Sequence, residues 1–221
     1  MSVTLDHLVV GARTLDDGVA WCETTLGVTP APGGRHALMG THNRLLDISS
    51  DAFPRAYLEV IAIDPLAPAP GRARWFDLDD AAMQARLAEG PRLIHWVARC
   101  TGLQARLAAL ATAGWESGDA LQAERGRLRW QISVRPDGRR LLAGALPTLI
   151  EWGPHHPSED MPASGLRLES LLIEGLPAPA IAALQADAVR HAPASAPGLV
   201  ATLSTPAGRV ELHSSPSTPR A

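Results

Sequence analysis

The chain has 221 residues, 46% of them hydrophobic, and a formal net charge of −3. That length supports one large domain or two small ones around an ample core, and no apolar run approaches the about 18 residues that a bilayer crossing needs. Every basic side chain is arginine, scattered along the chain, which argues against nucleic acid or a membrane as partner and leaves a small molecule as the expected ligand.

Asp6, Arg13, Asp16 and Asp17 fall where a signal peptide would carry its apolar stretch, so a cytoplasmic protein is expected. Cys22 and Cys100 each lie in an apolar segment. They offer neither a disulfide framework nor a thiolate zinc site, and both are expected in the core.

Val3 to Val10 has strand composition, and its alternation places Leu5, His7 and Val9 on one face with Leu8 and Val10 on the other. Thr14 to Asp17 has the form of a capping box. Val19, Ala20, Cys22 and Leu26 follow at helical spacing, and Gly27 closes a helix of about three turns. A loop through Pro30, Pro32, Gly33 and Gly34 leads to Gly40-Thr41-His42-Asn43, then to apolar runs at Leu45 to Ile48 and Ala56 to Ile63. In the last run Tyr57, Glu59, Ile61 and Ile63 share a face, so a carboxylate stands among apolar neighbours. Residues 1–64 thus form a first βαβββ module, and 65–91 form a Pro-rich linker with Trp75-Phe76 and a short helix from Asp79 to Leu87.

The same order begins again at Arg92. Leu93, His95 and Val97 alternate with Ile94, Trp96 and Ala98, and Thr101 with Gln104 forms a second capping box. Leu103, Leu107, Leu110 and Ala111 give a helical stripe ending at Gly114. Strands follow at Leu128 to Val134 and Thr148 to Trp152, the latter with Leu149 and Glu151 on one face, which closes a second module over residues 92–160. Residues 165–214 read as an additional βαββ segment packed on the core, and 215–221 as a disordered tail.

Each module offers one His from its first strand and one Glu from its last. A twofold pairing of the modules would bring His7, Glu59, His95 and Glu151 to one point. Two imidazoles and two carboxylates suit a divalent ion such as zinc, nickel, cobalt, iron or manganese, with positions left for water or substrate. The plainer reading of a lone strand histidine is a hydrogen-bonded core residue, whereas a strand glutamate among apolar residues is costly to bury without a cation or donor. His42 and Asn43 either touch a substrate oxygen or form the turn before a strand. Trp75 and Trp130 are expected to wall a pocket and Trp96 to pack in the core. His155 and His156 are adjacent and point to opposite sides, so a surface loop or cavity rim is expected for both, and a structural place for His213.

The stretches Leu5-Asp6-His7-Leu8-Val9 and Tyr57-Leu58-Glu59-Val60, with Gly40 to Asn43, Arg74-Trp75-Phe76 and Leu149-Ile150-Glu151-Trp152, resemble the glyoxalase-like domain family of the vicinal-oxygen-chelate superfamily, which spans glyoxalases, bleomycin-resistance proteins and dioxygenases. The resemblance implies an α+β fold in which two tandem βαβββ modules form a cup-shaped mixed sheet, plus here a shortened C-terminal αβ unit. It also implies metal ligands at His7, Glu59, His95 and Glu151. The activity implied is that of a metal-dependent lyase or isomerase acting on a small oxygenated carbonyl compound, with Glu59 or Glu151 as the base. Two alternatives come with the superfamily: a metal-free small-molecule sequestering protein, and an extradiol-type dioxygenase with two His and one carboxylate. Because both modules sit in one chain, the cup can close in a monomer as well as in a homodimer.

Overall fold

Local signals place most of the elements. Strand β1 (Thr4–Gly11) is followed by α1 (Leu15–Trp21), where Thr14 Oγ1 accepts from the Asp17 amide at the N-cap; a π-helical turn over Cys22–Leu26 extends it and ends on Gly27, whose φ of 73° terminates the helix. Then come β2 (Ala31–His36), β3 (Thr41–Asp47) and β4 (Tyr57–Ile63). Asp80 caps α2 (Ala81–Ala88), and the second module supplies β5 (Arg92–Arg99), α3 (Leu103–Thr112), β6 (Asp119–Arg125), β7 (Leu128–Val134) and β8 (Thr148–Trp152). The structure is a computed structural model and describes residues 2–214; the expected disordered tail lies outside the described residues.

The eight strands form one mixed sheet in the order β2-β3-β4-β1-β5-β8-β7-β6. Each module contributes four neighbouring strands, with its first strand parallel to its last, and the antiparallel pair β1 and β5 joins the halves. The sheet curls into a cup. Val9, Ile61, Val97, Ile132 and Ile150 pack on the inner face with Trp75, Phe76 and Leu78 of the linker. On the outer face Leu8, Val10, Leu58, Trp96 and Leu149 meet Leu26, Leu103 and Leu110 of the helical segments. Cys22 and Cys100 belong to this outer core, where burial raises their pKa values to about 12 and about 11.

Two bulges break the simple alternation. Leu5 pairs with Ala98 and His7 with Val97, so Asp6 is the extra residue on β1; Val9 pairs with His95 and Val10 with Leu93, so Ile94 is the extra residue on β5. Leu5 therefore joins the outer core with Leu8, contrary to the face expected from alternation, while His7 and Val9 stay inside.

Two strands differ from expectation. β2 forms where Pro32, Gly33 and Gly34 predict a loop. It survives because it is an edge strand, where a missing N–H is tolerated, and because a Cβ on Gly33 would lie 2.2 Å from Asn43 Oδ1. β6 is the opposite edge, a charged strand with no sequence signal of its own.

The C-terminal unit has β9 (Arg167–Glu174), α4 (Ala178–Leu184), β10 (Val189–Ala192), β11 (Gly198–Thr205) and β12 (Gly208–His213), one strand more than expected. Its order β10-β9-β11-β12 puts its first strand parallel to its second. It is therefore a different topology and not a third copy of the module. Leu168, Leu171, Leu199 and Leu203 extend the outer core, each worth roughly 1.5–3 kcal/mol of burial.

Candidate functional site

The inner face of the first module carries His7 on β1, His36 on β2, Asn43 on β3 and Tyr57 and Glu59 on β4. Trp75 and Phe76 of the linker, Arg125 of β6, and Trp130 and Trp152 of the second module close a cavity around them, with a free volume of about 30 Å³. That space holds one or two waters, so only the reacting end of a ligand reaches the floor without rearrangement.

Glu59 is 5% exposed. Its Oε1 accepts from Asn43 Nδ2 at 2.5 Å. The other hydrogen of that amide faces His36 Nε2 at 3.3 Å, and Asn43 Oδ1 accepts from the Gly34 amide at 2.7 Å, so every polar atom of the Asn43 side chain is engaged and its orientation is fixed. Glu59 Oε2 forms no hydrogen bond among the described residues and stands 3.6 Å from His7 Nε2. It is the oxygen left to take a proton.

His36 donates through Nδ1 to Thr41 Oγ1 at 3.0 Å, which leaves Nε2 as an acceptor. Burial pushes its pKa down to about 4, with the field of Arg125 adding to the effect and the charge of Glu59 opposing it. His36 is thus neutral at pH 7.

His7 is held from behind. Its Nδ1 donates to Asp6 Oδ1 at 2.7 Å, and its ring stacks on Tyr57 with centroids 4.5 Å apart. The other Asp6 oxygen accepts from Trp152 Nε1 at 2.9 Å and from His156 Nε2 at 3.0 Å, with Arg99 at 3.6 Å. The Ser158 amide donates to His156 Nδ1, so the proton of that imidazole is on Nε2, facing Asp6. Asp6 is fully buried. Burial alone would raise its pKa, but the bonds from His156 and His7 outweigh it and hold the carboxyl below the usual range. An ionised Asp6 fixes the Nδ1–H tautomer of His7 and turns Nε2 toward Glu59. Tyr57, buried beside both carboxylates, is raised well above its ordinary value and stays a neutral phenol.

The family model of the glyoxalase-like domain matches residues 5–189. The chain belongs to the glyoxalase-like domain family. This places it in the vicinal-oxygen-chelate superfamily, with which the paired modules agree. A hypothetical protein from Staphylococcus aureus shares the fold at 16% identity and a TM-score of 0.55, covering 78% of this chain and 69% of that one. A Streptomyces coelicolor methylmalonyl-CoA epimerase in complex with 2-nitronate-propionyl-CoA aligns at 18% identity and a TM-score of 0.44 over 70% of this chain and 99% of its own. A hypothetical protein from Bacillus halodurans aligns at 11% and 0.40, covering 71% and 97%. No curated protein matches the chain.

Of the four side chains expected to hold a metal in this glyoxalase-like fold, the structure brings His7 and Glu59 together and leaves the other two apart. His95 lies on the inner face against Phe76, but Nε2 accepts from the Thr148 amide at 3.1 Å and Nδ1 faces the Gly144 carbonyl at 3.2 Å, so neither nitrogen has a free lone pair. Burial, and then Arg140, depress its pKa well below the ordinary value. Glu151 is on the outer face. Its carboxylate accepts from the Gly102 and Leu103 amides at 2.7 and 2.9 Å and so caps α3, the task expected of Thr101. The register explains the displacement. Val97, two residues past His95 as Val9 is past His7, lies opposite Thr148 as Val9 lies opposite Glu59, which makes Thr148 the counterpart of Glu59 and puts Glu151, three residues further on, on the other face. The donor set His7, Glu59, His95 and Glu151 therefore does not fit a metal ion, and among the described residues no group of three or more His, Cys, Asp or Glu is placed to hold one.

Asn43, Trp75 and Trp130 line the cavity. His42 does not, since it alternates away from Asn43 and its Nδ1 sits 4.0 Å from Asp64. Trp96 packs in the outer core with Nε1 donating to the Ala145 carbonyl. His156, expected at a loop or rim, is 1% exposed and belongs to the Asp6 network, while His155 remains near the surface. The residues that sequence reasoning missed are Asp6, His36 and Arg125. Asp6 is adjacent to His7 in sequence and could have been paired with it had a bulge been considered; the other two sit on the two edge strands that composition disguised.

Proposed function

We propose that this glyoxalase-like protein catalyses proton transfer at a carbon next to a carbonyl in a small oxygenated compound, as an isomerase or lyase, with Glu59 as the base. The observation that supports this most directly is the free Glu59 Oε2 facing His7 Nε2 across 3.6 Å at the floor of a narrow cavity. Glu59 removes the proton, the C–H electron pair forms the enolate double bond, and negative charge moves to the carbonyl oxygen. His7, held by Asp6 as the Nδ1–H tautomer, presents an unprotonated Nε2, which takes the hydroxyl proton of an enediolate and returns it to the neighbouring oxygen when the product is the isomer. Return of the proton from Glu59 to the same or the neighbouring carbon completes an epimerisation or isomerisation with no change in oxidation state. Asn43 holds Glu59 in place, and Trp75, Phe76 and Trp152 exclude bulk water.

Sequestration of a bulky molecule is less well supported, because the free volume is small and a buried carboxylate stands at its centre. The test is deuterium uptake from D₂O into a panel of small 2-oxo and 2-hydroxy carbonyl compounds, followed by NMR. Wild-type protein is expected to accelerate exchange at one carbon. Glu59→Gln is expected to lose about 10²–10⁴-fold of that rate while remaining folded; an equal rate in the variant refutes the assignment.

A further inference from the structure

Arg125 is a cation without an ion-pair partner among the described residues. Its neighbours on the same hairpin are paired, Arg127 with Asp160 at 2.7 Å and Arg129 with Glu124 at 3.0 Å. Arg125 forms no ion pair among the described residues; its one polar contact is Nη1 to Asn43 Oδ1 at 3.5 Å. It comes from the edge strand of the second module and reaches across the cup to β2 of the first, where Gly34 clears its path: a Cβ there would lie 2.5 Å from Nη1 and 2.6 Å from Cδ. The guanidinium thus lines the cavity of Glu59.

We infer that Arg125 is the anchor for a carboxylate on the substrate, and that the site takes short acids of the 2-oxo or 2-hydroxy class. This rests on the proton-transfer reading for the role of Glu59. The cavity floor carries the negative charge of Glu59, which repels an anionic substrate unless a cation compensates it, and Arg125 is the unpaired cation at that place. Asn43 touches Arg125 with one end of its amide and Glu59 with the other, so guanidinium and base are one amide group apart. A carboxylate held by the first then leaves a neighbouring carbon of the same short molecule to the second. A single planar fork of donors matches a carboxylate edge to edge, whereas a phosphate calls for more positive charge than this cavity offers.

The test is an NMR titration with pyruvate and its methyl ester, run on wild type, Arg125→Gln, Arg125→Lys and Glu59→Gln. Pyruvate is expected to bind saturably, the ester about tenfold more weakly, and Arg125→Gln to weaken pyruvate about tenfold without changing the ester; this is the loss of one charge-assisted pair. Arg125→Lys is expected to fall between, since it keeps the charge and loses the fork. Arg125 is partly exposed and unpaired, so unchanged unfolding midpoints will show that the variants fold. Equal binding of acid and ester, no effect of Arg125→Gln, or no binding of pyruvate overturns the assignment. Titrating Glu59→Gln separates the two readings. Binding of pyruvate there, with exchange absent even in wild type, retains the anchor and sinks the base; exchange by wild type of neutral ketones alone does the reverse.

Discussion

His7 Nδ1 and Asp6 Oδ1 lie 2.7 Å apart although the two residues are consecutive in one strand. Regular alternation would send them to opposite faces. Asp6 is the extra residue of a bulge, and the local twist brings its carboxylate to the inner side, where His7, His156 and Trp152 all donate to it.

Asp6→Asn leaves an amide NH₂ facing donors. The variant is expected to lose about 2–4 kcal/mol of stability at neutral pH by urea unfolding. Because the folded pKa of Asp6 is depressed, its stabilisation is complete above the unfolded value of about 4 and fades as pH falls below it, so the deficit of the variant shrinks in acid. Loss of the fixed His7 tautomer is expected to lower kcat more than KM and to move the pH profile of exchange, which a purely structural role would not do.

Glu151→Ala removes the cap of α3 without touching the cavity. A loss of about 0.5–2 kcal/mol in unfolding free energy with unchanged exchange rate is expected. A dead, fully folded variant would return Glu151 to the site.

Stability is expected to rise with pH between about 4 and the unfolded histidine value of about 6.5, and then to level off. Burial first, aided by Arg125, holds His36 at about 4, so over that window the unfolded chain binds more protons than the folded one. His36 alone accounts for roughly 3 kcal/mol at about 1.4 kcal/mol per pKa unit. His95, also depressed by burial, adds in the same direction. Urea midpoints measured across this range should show a shallower slope in His36→Asn.

Gly33→Ala places a methyl 2.2 Å from Asn43 Oδ1 and 2.4 Å from its backbone oxygen, so β2 must shift away from β3. A cost of about 1–3 kcal/mol is expected by thermal unfolding. Exchange should fall with it, because the Gly34 amide that orients Asn43 moves too.

The sequence by itself determined what short-range physics controls. Thr14 and Gly27 bound the first helix, Gly114 follows the second module's helix, and the apolar stripes give strands for β1, β4, β5 and β8. The repeat of one histidine strand and one glutamate strand per module revealed the family and the pair His7 and Glu59. Tertiary structure decided the rest. A strand has period two, so whether Glu151 or Ile150 faces the cup depends on the register of β8 against β5, a long-range pairing that moves every side chain to the other face when it slips by one. Bulges at Asp6 and Ile94 arise only when β1 meets β5. The edge places of β2 and β6, which bring His36 and Arg125 to the same cavity from opposite ends of the sheet, follow from the curl of eight strands and have no local signature at all.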